Sequence, residues 1–302
     1  MEKNRVPEQR TAFVAIVGRP NVGKSSILNR LLGQKVAIVT SRPQTTRTRI
    51  MGVLTHDDVQ MVFTDTPGFH RPRTKLGEKM IRAVDESISG VDACLFVTEA
   101  TGEIRPTEKE LLGKLKKEKI PVILAINKID TVAKKDELML RIAELSNMFD
   151  FEAVVPVCAL NGNGMDALLT ELEALAEPSQ HFFPDDTLTD QPERVLAAEF
   201  IREKLLYRLD NEIPHGIAVS IEKMHEREDS DIIDIDAVIY CEKESHKGII
   251  IGKKGDMLKA VSTAARKDLE HFLDCRVNLQ CWVKVKEGWR NREGIIHNFG
   301  LD

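Results

Sequence analysis

Aromatic residues, cysteine pairs and long apolar runs are all scarce in this chain of 302 residues. Phe, Trp and Tyr make up 5% of it, and no stretch approaches the roughly twenty apolar residues that cross a membrane. No apolar signal-peptide core follows the N-terminus. No two cysteines have CxxC spacing, and none of the eight histidines has metal-ligand spacing. We therefore expect a cytoplasmic protein with reduced thiols, without a disulfide framework and without zinc. The five cysteines are Cys94, Cys158, Cys241, Cys275 and Cys281.

The remaining composition is that of an ordinary globular protein, with 42% hydrophobic and 30% charged residues. The length allows one or two domains, each with its own core. The net charge of -5 is unevenly distributed, because the chain from Cys241 onward carries +3 and the preceding part carries -8. A basic C-terminal region indicates an anionic partner there, although a charge difference of this size is not specific.

A phosphate-binding loop is predicted at Gly18–Ser25, which fits the template of Gly, four residues and Gly-Lys-Ser. The apolar run Phe13–Val17 precedes it and the helical pattern Ser26–Leu32 follows it, so the loop has the strand–turn–helix context that the motif requires. Lys24 would reach the β- and γ-phosphates, and the Ser25 hydroxyl would bind Mg²⁺. The predicted nucleotide-binding residues of this loop are Gly18, Arg19, Pro20, Asn21, Val22, Gly23, Lys24, Ser25 and Ser26.

Short apolar runs alternate with helical patterns between residues 11 and 177. Strands are expected at Phe13–Val17, Gln60–Thr64, Ala93–Val97, Val122–Ile126 and Val154–Val157. Helices are expected at Leu76–Ser89, Thr107–Lys117, Lys134–Asn147 and Met165–Ala176. The alternation predicts an α/β domain with a mixed, mostly parallel sheet and helices on both faces. Ligands of such sheets bind at the carboxyl ends of the strands.

Two further motifs follow predicted strands. Asp65 can hold Mg²⁺ through a water, and the Gly68 N–H can sense a γ-phosphate. The Asp130 carboxylate can accept two hydrogen bonds from guanine, a donor pair that adenine lacks. In order and spacing, these motifs and the phosphate loop together resemble the small GTP-binding proteins, so we predict guanine as the base. The residues added to the nucleotide site are Asp65, Thr66, Pro67, Gly68, Asn127, Lys128 and Asp130.

The base-binding loop is expected to be completed by Cys158 and Ala159. GTPases usually carry Ser-Ala at this place, so Cys158 departs from the pattern. The Ala159 backbone N–H can still contact the guanine O6, because that contact needs no side chain.

The polar stretch Thr40–Arg47 fits a switch loop that orders when a γ-phosphate and Mg²⁺ are present. Thr46 is the predicted Mg²⁺-binding hydroxyl, with Thr45 as the alternative. The predicted metal ligands are therefore Ser25, Thr46 and Asp65.

Phe69 follows the Asp65–Gly68 motif at the position where many signalling GTPases carry a water-orienting Gln. The sequence resembles GTPases with a hydrophobic residue at this place, in some of which an Asn of the phosphate loop helps bind K⁺. Asn21 has that position, so we predict slow hydrolysis stimulated by K⁺ or by a partner; the alternative is that Asn21 is only a turn residue. The predicted catalytic residues are Asn21, Lys24, Thr46 and Gly68.

The second half of the chain carries a Gly-x-x-Gly motif in a distinctive setting. A helix is expected at Arg194–Leu209, followed by strands at Ile217–Ile221 and Ile232–Tyr240, the motif Gly252–Gly255, a helix at Met257–Phe272 and a strand at Val277–Val285. This order resembles an α+β type II KH domain, in which the glycines let an RNA backbone approach closely and the lysines contact phosphates. The predicted RNA-binding residues are Ile251, Gly252, Lys253, Lys254, Gly255 and Lys259.

The expected domain organisation is an N-terminal tail at residues 1–10, a GTPase domain at 11–178, a proline-containing linker at 179–193 and a KH domain with its C-terminal tail at 194–302. This combination of motifs resembles the Era family of GTPases over nearly the whole chain. Further stretches that carry the resemblance are Phe183–Asp190, Ile201–Leu205 and Trp282–Trp289.

The resemblance implies a bacterial-type GTPase that uses GTP, GDP and Mg²⁺, and we expect it to be a monomer. It implies binding to the 3′ end of small-subunit (16S) ribosomal RNA and to the 30S subunit during its assembly. It also implies loose peripheral association with the cell membrane. We expect no DNA among the partners.

Two other functions stay open at this point. One is a GTPase that regulates the cell cycle or a membrane process and uses its C-terminal domain as an adaptor. The other is the GTPase component of a tRNA-modifying enzyme, which would need a catalytic Cys or a cofactor site. Cys241, Cys275 and Cys281 lie in or beside predicted strands without a recognisable catalytic motif, which argues against the second.

Overall fold

The structure, a computed structural model, describes residues 9–70, 72–210 and 213–301. Most of the predicted N-terminal tail and the final residue therefore lie outside the described residues. The described chain forms two compact units. The first takes in the residues up to Ala37, those from Thr46 to His70, and Met80–Asp190. The second takes in Ile38–Thr45, Pro72–Lys79 and the residues from Gln191 onward.

The first unit alternates strands and helices, as the sequence predicts. Its elements are β1 Arg10–Gly18, α1 Lys24–Leu32, β2 Ile50–His56, β3 Val59–Asp65, α2 Lys75–Ile88 (whose first turn is counted with the second unit), β4 Ala93–Glu99, α3 Pro106–Glu118, β5 Val122–Asn127, α4 Lys135–Ser146, β6 Ala153–Pro156, α5 Met165–Glu173 and β7 Glu177–Pro178.

The sheet of the first unit has the order β2-β3-β1-β4-β5-β6, and β7 pairs with β1. Strands β3, β1, β4, β5 and β6 are parallel, whereas β2 is antiparallel to β3 and β7 is antiparallel to β1. The predicted mixed, mostly parallel sheet is therefore confirmed. The sequence prediction missed β2, and α5 ends at Glu173 rather than at the predicted Ala176.

Helices cover both faces of this sheet. Leu28 of α1 and Leu168 of α5 belong to one buried cluster, whereas Val84 of α2, Leu111 of α3 and Leu145 of α4 belong to another. All five side chains are fully buried, and each such burial contributes about 1.5–3 kcal/mol. The two cores fix the positions of the strands, and therefore also the strand ends from which the loops at the carboxyl edge extend.

The predicted linker is docked on the first unit over most of its length. Phe182 packs edge-on against Phe13, with ring centroids 5.1 Å apart. The buried Gln60 side chain accepts hydrogen bonds from the N–H groups of Phe182 (2.8 Å) and Phe183 (2.9 Å), and it donates one to the Phe183 carbonyl (2.9 Å). These bonds satisfy a buried polar group and fix the path of the chain.

The second unit is built from α6 Glu193–Arg208, β8 Ala218–Glu226, β9 Ile232–Cys241, α7 Glu244–Ile251, α8 Asp256–Leu273, β10 Arg276–Val285 and α9 Glu293–Asn298. The sheet order is β10-β9-β8, with β10 parallel and β8 antiparallel to β9. The order αββααβ is that of the predicted type II KH arrangement, completed by α7, which the sequence prediction missed.

The two faces of this smaller sheet are covered differently. Phe200 of α6 and Phe272 of α8 meet edge-on at 5.5 Å above one face. On the other face the C-terminal tail folds back, and Phe299 lies 4.8 Å from the ring of Tyr240 and 5.3 Å from that of Trp289. Trp289 is fully buried and donates its indole N–H to the Gly216 carbonyl at 2.9 Å. The tail thus contributes the buried side chains of Trp289 and Ile296 to this unit.

Among the residues that the structure describes, no helix is both long and apolar enough to cross a membrane.

Candidate functional site

The phosphate-binding loop connects the end of β1 to the start of α1. Gly23 caps the helix in the left-handed conformation, with φ 99°. The Lys24 side chain is only 6% exposed, and its Nζ donates to the carbonyls of Gly18 (3.2 Å) and Arg19 (3.0 Å). Burial lowers the pKa of Lys24 to about 8, although the charge of Asp65 opposes this shift. The loop therefore curls around its own lysine at the helix N-terminus, where an anion is stabilised.

The three predicted metal ligands meet around one carboxylate oxygen. Ser25 Oγ donates to Asp65 Oδ2 at 2.6 Å, Thr46 Oγ1 lies 3.3 Å from the same oxygen, and the two hydroxyls are 3.0 Å apart. Asp65 Oδ1 is buried and has no hydrogen-bond partner within the described part of the chain. Burial raises the pKa of Asp65 even though Lys24 and both hydroxyls favour its charged form. Two hydroxyls and a carboxylate are oxygen donors that suit Mg²⁺, so the residues fit this ion.

The alternative ligand, Thr45, is engaged elsewhere. Its Oγ1 donates to the Arg42 carbonyl at 2.7 Å and lies 2.7 Å from the Thr40 hydroxyl. Thr46 by contrast is 7% exposed and beside Asp65. The structure thus favours Thr46 over Thr45 for the metal site.

The Asp65–Gly68 turn packs directly on the phosphate loop. A Cβ atom on Gly68 would lie 2.5 Å from the Pro20 backbone, so only glycine fits there. The Phe69 N–H donates to the Gly18 carbonyl at 3.0 Å. The Phe69 ring is 4% exposed and belongs to the core, with the Lys114 ammonium 4.8 Å from its centroid. The Phe69 backbone therefore binds the turn to the phosphate loop, and the buried Phe69 ring offers no polar atom to a water molecule.

The predicted base loop is tied to the phosphate loop by hydrogen bonds. Asn127 Nδ2 donates to the Val22 carbonyl at 2.8 Å, and Lys128 Nζ donates to the Asn21 carbonyl at 2.8 Å. Two further bonds complete the base loop, from the Ala159 N–H to Asn127 Oδ1 at 3.1 Å and from Cys158 Sγ to Asp130 Oδ1 at 3.0 Å. The thiol at position 158 thus makes the hydrogen bond to Asp130 that a serine hydroxyl could make.

Sequence reasoning missed two carboxylates at this edge. Arg19 Nη2 donates to Glu99 at 3.0 Å, and Arg19 Nε lies 3.1 Å from Glu108. Glu99 also pairs with Lys128. Burial alone would raise the pKa of Glu99, but the hydrogen bonds and charges of Lys128 and Arg19 outweigh it and lower the pKa. The sequence could have indicated Glu99, because it is the last residue of β4 and ligands bind at the carboxyl ends of such strands.

The Gly-x-x-Gly motif forms the turn between α7 and α8 of the second unit. Gly252 has φ 74° and ψ 178°, a conformation open essentially to glycine alone, and a Cβ there would lie 2.6 Å from Met257 Cβ. Ile251 is half-buried at the end of α7, and Gly255 caps α8 with φ 85°. The three predicted lysines, Lys253, Lys254 and Lys259, are all exposed. The turn therefore presents exposed cationic side chains, and both the backbone conformation of Gly252 and its close contact with Met257 require glycine there.

The first unit has the fold and site of a P-loop GTPase, and the second has the fold of a KH domain. Two family models agree, one of 50S ribosome-binding GTPases over residues 13–128 and one of KH domains over residues 212–290. The chain is 49% identical to GTPase Era of Clostridioides difficile strain 630, over 97% of this chain and 99% of that protein. It is 47% identical to GTPase Era of Ruminiclostridium cellulolyticum, over 96% and 97%. The chain belongs to the Era family of GTPases.

Two solved structures share the whole architecture. A variant of Aquifex aeolicus Era bound to GDP.AlF4- is 37% identical, with a TM-score of 0.94, and the match covers 97% of this chain and 99% of that one. A crystal structure of Era in complex with MgGDPNP and nucleotides 1506–1542 of 16S ribosomal RNA matches with the same identity, TM-score and coverage. The predicted family and fold class are confirmed, and the roles of individual site residues stay predictions.

Proposed function

We propose that this GTPase is a switch that binds the 3′ end of small-subunit ribosomal RNA through its KH domain and acts in assembly of the 30S subunit. The observation that carries the proposal is that one chain holds both sites. Ser25, Thr46 and Asp65 converge beside the phosphate loop, and an open Gly252–Gly255 turn lies in the second unit. The relative with bound 16S RNA and MgGDPNP supports it, because that protein shares this fold over 97% of the chain.

For hydrolysis, the chain supplies positive charge and positioning. Lys24 and the backbone N–H groups of the phosphate loop would neutralise the β- and γ-phosphates, and the Gly68 N–H would bind the γ-phosphate. Bound Mg²⁺, held by Ser25, Thr46 and Asp65, would neutralise charge that develops on the phosphates. Because the buried Phe69 cannot orient water, we expect a low intrinsic rate.

The exposed Asn21 is the remaining candidate for binding a monovalent cation. If it does so, GTP turnover in K⁺ will exceed that in Na⁺, and Asn21→Ala will remove the difference. Equal turnover in the two salts would refute this role.

We expect nucleotide state and RNA affinity to be coupled. The γ-phosphate would order the predicted switch loop through Thr46 and the following turn through Gly68. GTP can favour an RNA-binding state only by its differential affinity for the two states. RNA must then tighten GTP binding by the same factor.

The test is to crosslink the protein to cellular RNA with a GTP analogue bound, and to sequence the captured RNA. We expect enrichment of the 3′ end of small-subunit RNA, lost in a Lys253→Ala, Lys254→Ala double variant. Enrichment of large-subunit RNA would contradict the proposed subunit, which matters because the matching family model is named for the 50S ribosome. Capture of no RNA, or equal capture by the variant, would favour the adaptor alternative.

The expected location is the cytoplasm with peripheral association to the inner face of the cell membrane, which rests on the family resemblance. Flotation of the purified protein with vesicles of anionic phospholipid would test the association. Absence of the protein from the vesicle fraction in both nucleotide states would refute it.

A further inference from the structure

We infer that Glu99 is a positioning residue of the nucleotide site, whose carboxylate holds the phosphate loop and the base loop at a fixed separation. The inference rests on nucleotide binding between these two loops. Glu99 belongs to neither loop and to none of the motifs that the sequence displays.

The two oxygens of Glu99 bind cations from different loops. Oε2 accepts a hydrogen bond from Arg19 Nη2 of the phosphate loop at 3.0 Å, and Oε1 accepts one from Lys128 Nζ of the base loop. Lys128 in turn donates to the Asn21 carbonyl at 2.8 Å. A closed circuit of contacts therefore runs from the phosphate loop through Glu99 to the base loop and back.

The position of Glu99 in the sheet explains this arrangement. Strand β4 lies between β1, which leads into the phosphate loop, and β5, which leads into the base loop. Glu99 ends β4, so its side chain stands between the two loops at the carboxyl edge. A nucleotide that contacts both Lys24 and Asp130 must span this strand.

On its other side Arg19 faces a second carboxylate, that of Glu108, which forms an ion pair with it. The Glu108 side chain is 1% exposed, accepts from Thr98 Oγ1 at 2.6 Å and from the Arg105 N–H at 2.9 Å, and lies 3.1 Å from Arg19 Nε. The Arg19 side chain is itself only 11% exposed. Such a pair differs from a solvated surface ion pair, whose geometry is loose and whose energy is small.

Glu99 acts on the two loops through the charge of its carboxylate. Arg19 and Lys128 both bind its carboxylate, so two cations from opposite loops are brought together. Without this negative charge the two cations repel each other, and the repulsion acts against the hydrogen bonds that Asn127 and Lys128 donate to the phosphate loop. The two loops would then be held less firmly, which would weaken the binding of every nucleotide that bridges them but leave the recognition of the base by Asp130 intact.

The experiment compares Glu99→Gln with Glu110→Gln in the full chain, using fluorescent GDP and a GTP analogue. Glutamine keeps the shape of Glu99 and removes its charge, and Glu110 is an exposed residue of the neighbouring helix α3. We expect Glu99→Gln to raise both dissociation constants about tenfold, chiefly by faster release, with guanine still preferred over adenine. Glu110→Gln should match the wild type.

A double-mutant cycle separates positioning from general stability. Combined with Arg19→Met, Glu99→Gln should add less than its single effect, because both remove the same contact. Melting temperatures without nucleotide complete the comparison. Equal dissociation constants for wild type and Glu99→Gln, or fully additive effects of the two substitutions, would refute the positioning role of Glu99. Neither result would affect the assigned nucleotide site. Failure of the wild type to bind GDP would overturn the assigned nucleotide site as well.

Discussion

Two glycine turns in this protein, each at a helix N-terminus, carry their lysines in opposite environments. In the first unit, Lys24 is buried and held by two carbonyls of its own loop. In the second unit, Lys253 and Lys254 are exposed on the turn before α8. Both helices begin after a glycine in the left-handed conformation, Gly23 and Gly255.

The difference in lysine burial determines which kind of anion each turn can bind. A buried cation inside a closed loop is preorganised for one compact anion, and its burial strengthens the interaction because the local dielectric is low. Exposed lysines on an open turn can follow a polymer backbone, and much of their binding energy comes from released counterions. The first turn therefore suits a small nucleotide, and the second suits a strand of RNA.

The largest expected effect comes from removing the buried charge. Lys24→Met keeps the length of the side chain, but it should weaken GTP and GDP binding by about 100-fold or more, because a preorganised donor to the phosphates is lost. Isothermal titration of the variant with GDP measures it. The matched control is the Lys253→Ala, Lys254→Ala variant, which should bind GDP normally. A Lys24→Met protein with wild-type affinity would show that the two turns do not differ in this way.

RNA binding at the exposed turn should depend on salt concentration, whereas nucleotide binding at the buried turn should not. Each lysine removed from the Gly252–Gly255 turn should reduce the slope of log affinity against log salt by about 0.7–1 for single-stranded RNA. At low salt the double variant should bind RNA about tenfold more weakly. Filter-binding titrations between low and high salt measure both values. An unchanged slope would mean that these lysines do not contact phosphates.

The buried lysine should also make nucleotide binding sensitive to pH. Lys24 has a pKa of about 8 because burial disfavours its charged form. As the pH rises through this value the lysine loses its proton, so the dissociation constant of GDP should rise, by at most tenfold per pH unit.

The free energy of unfolding of the nucleotide-free protein should rise over the pH range in which the affinity for GDP falls. The unfolded lysine keeps its proton up to its ordinary pKa of 10.5, so between pH 8 and that value the unfolded state binds more protons. The contribution of Lys24 to the free energy of unfolding therefore rises with pH in this window. Titrations with GDP and urea unfolding at pH 7, 8 and 9 measure the two trends. GDP affinity that stays constant up to pH 9 would contradict the assigned burial.

The smallest expected effect concerns the base loop. Cys158→Ser preserves a donor to Asp130, so GDP affinity should stay within about twofold of the wild type. Cys158→Ala removes the donor and should weaken GDP binding about threefold to tenfold, which corresponds to the about 0.5–1.5 kcal/mol that a typical hydrogen bond contributes. Release rates of fluorescent GDP distinguish the two variants. Identical rates for Ser and Ala would show that the thiol does not position Asp130.

The sequence was sufficient for the strands that lead into the site. Buried parallel strands appear as short apolar runs, and the polar motifs follow directly, so β1, β3, β4, β5 and β6 could be predicted to within a few residues. The choice of Thr46 over Thr45 could also be made, although only the hydrogen bonds of the two hydroxyls give its physical reason.

The elements that the sequence prediction missed depend on packing between distant segments. Strand β2 contains Gly52, which weakens a strand pattern; a Cβ there would lie 2.7 Å from Leu32 of α1. Helix α7 ends in Ile249–Ile251, and β-branched residues favour strands, but burial of Ile250 overrides that preference. Glu99 stands at the end of a strand, but its partner Arg19 lies 80 positions away, so no local pattern indicates that the two residues pair.

Coupling between the nucleotide site and the KH domain is measured most directly by the RNA affinity of the protein in its two nucleotide states. The RNA is the 3′-terminal segment of small-subunit ribosomal RNA, titrated against the protein bound to GDP or to a GTP analogue with Mg²⁺. We predict tighter binding in the GTP-analogue form by a factor of about 5–150, with GTP-analogue affinity raised by the same factor when RNA is bound. Identical RNA affinity in the two forms would contradict coupling between nucleotide state and RNA binding.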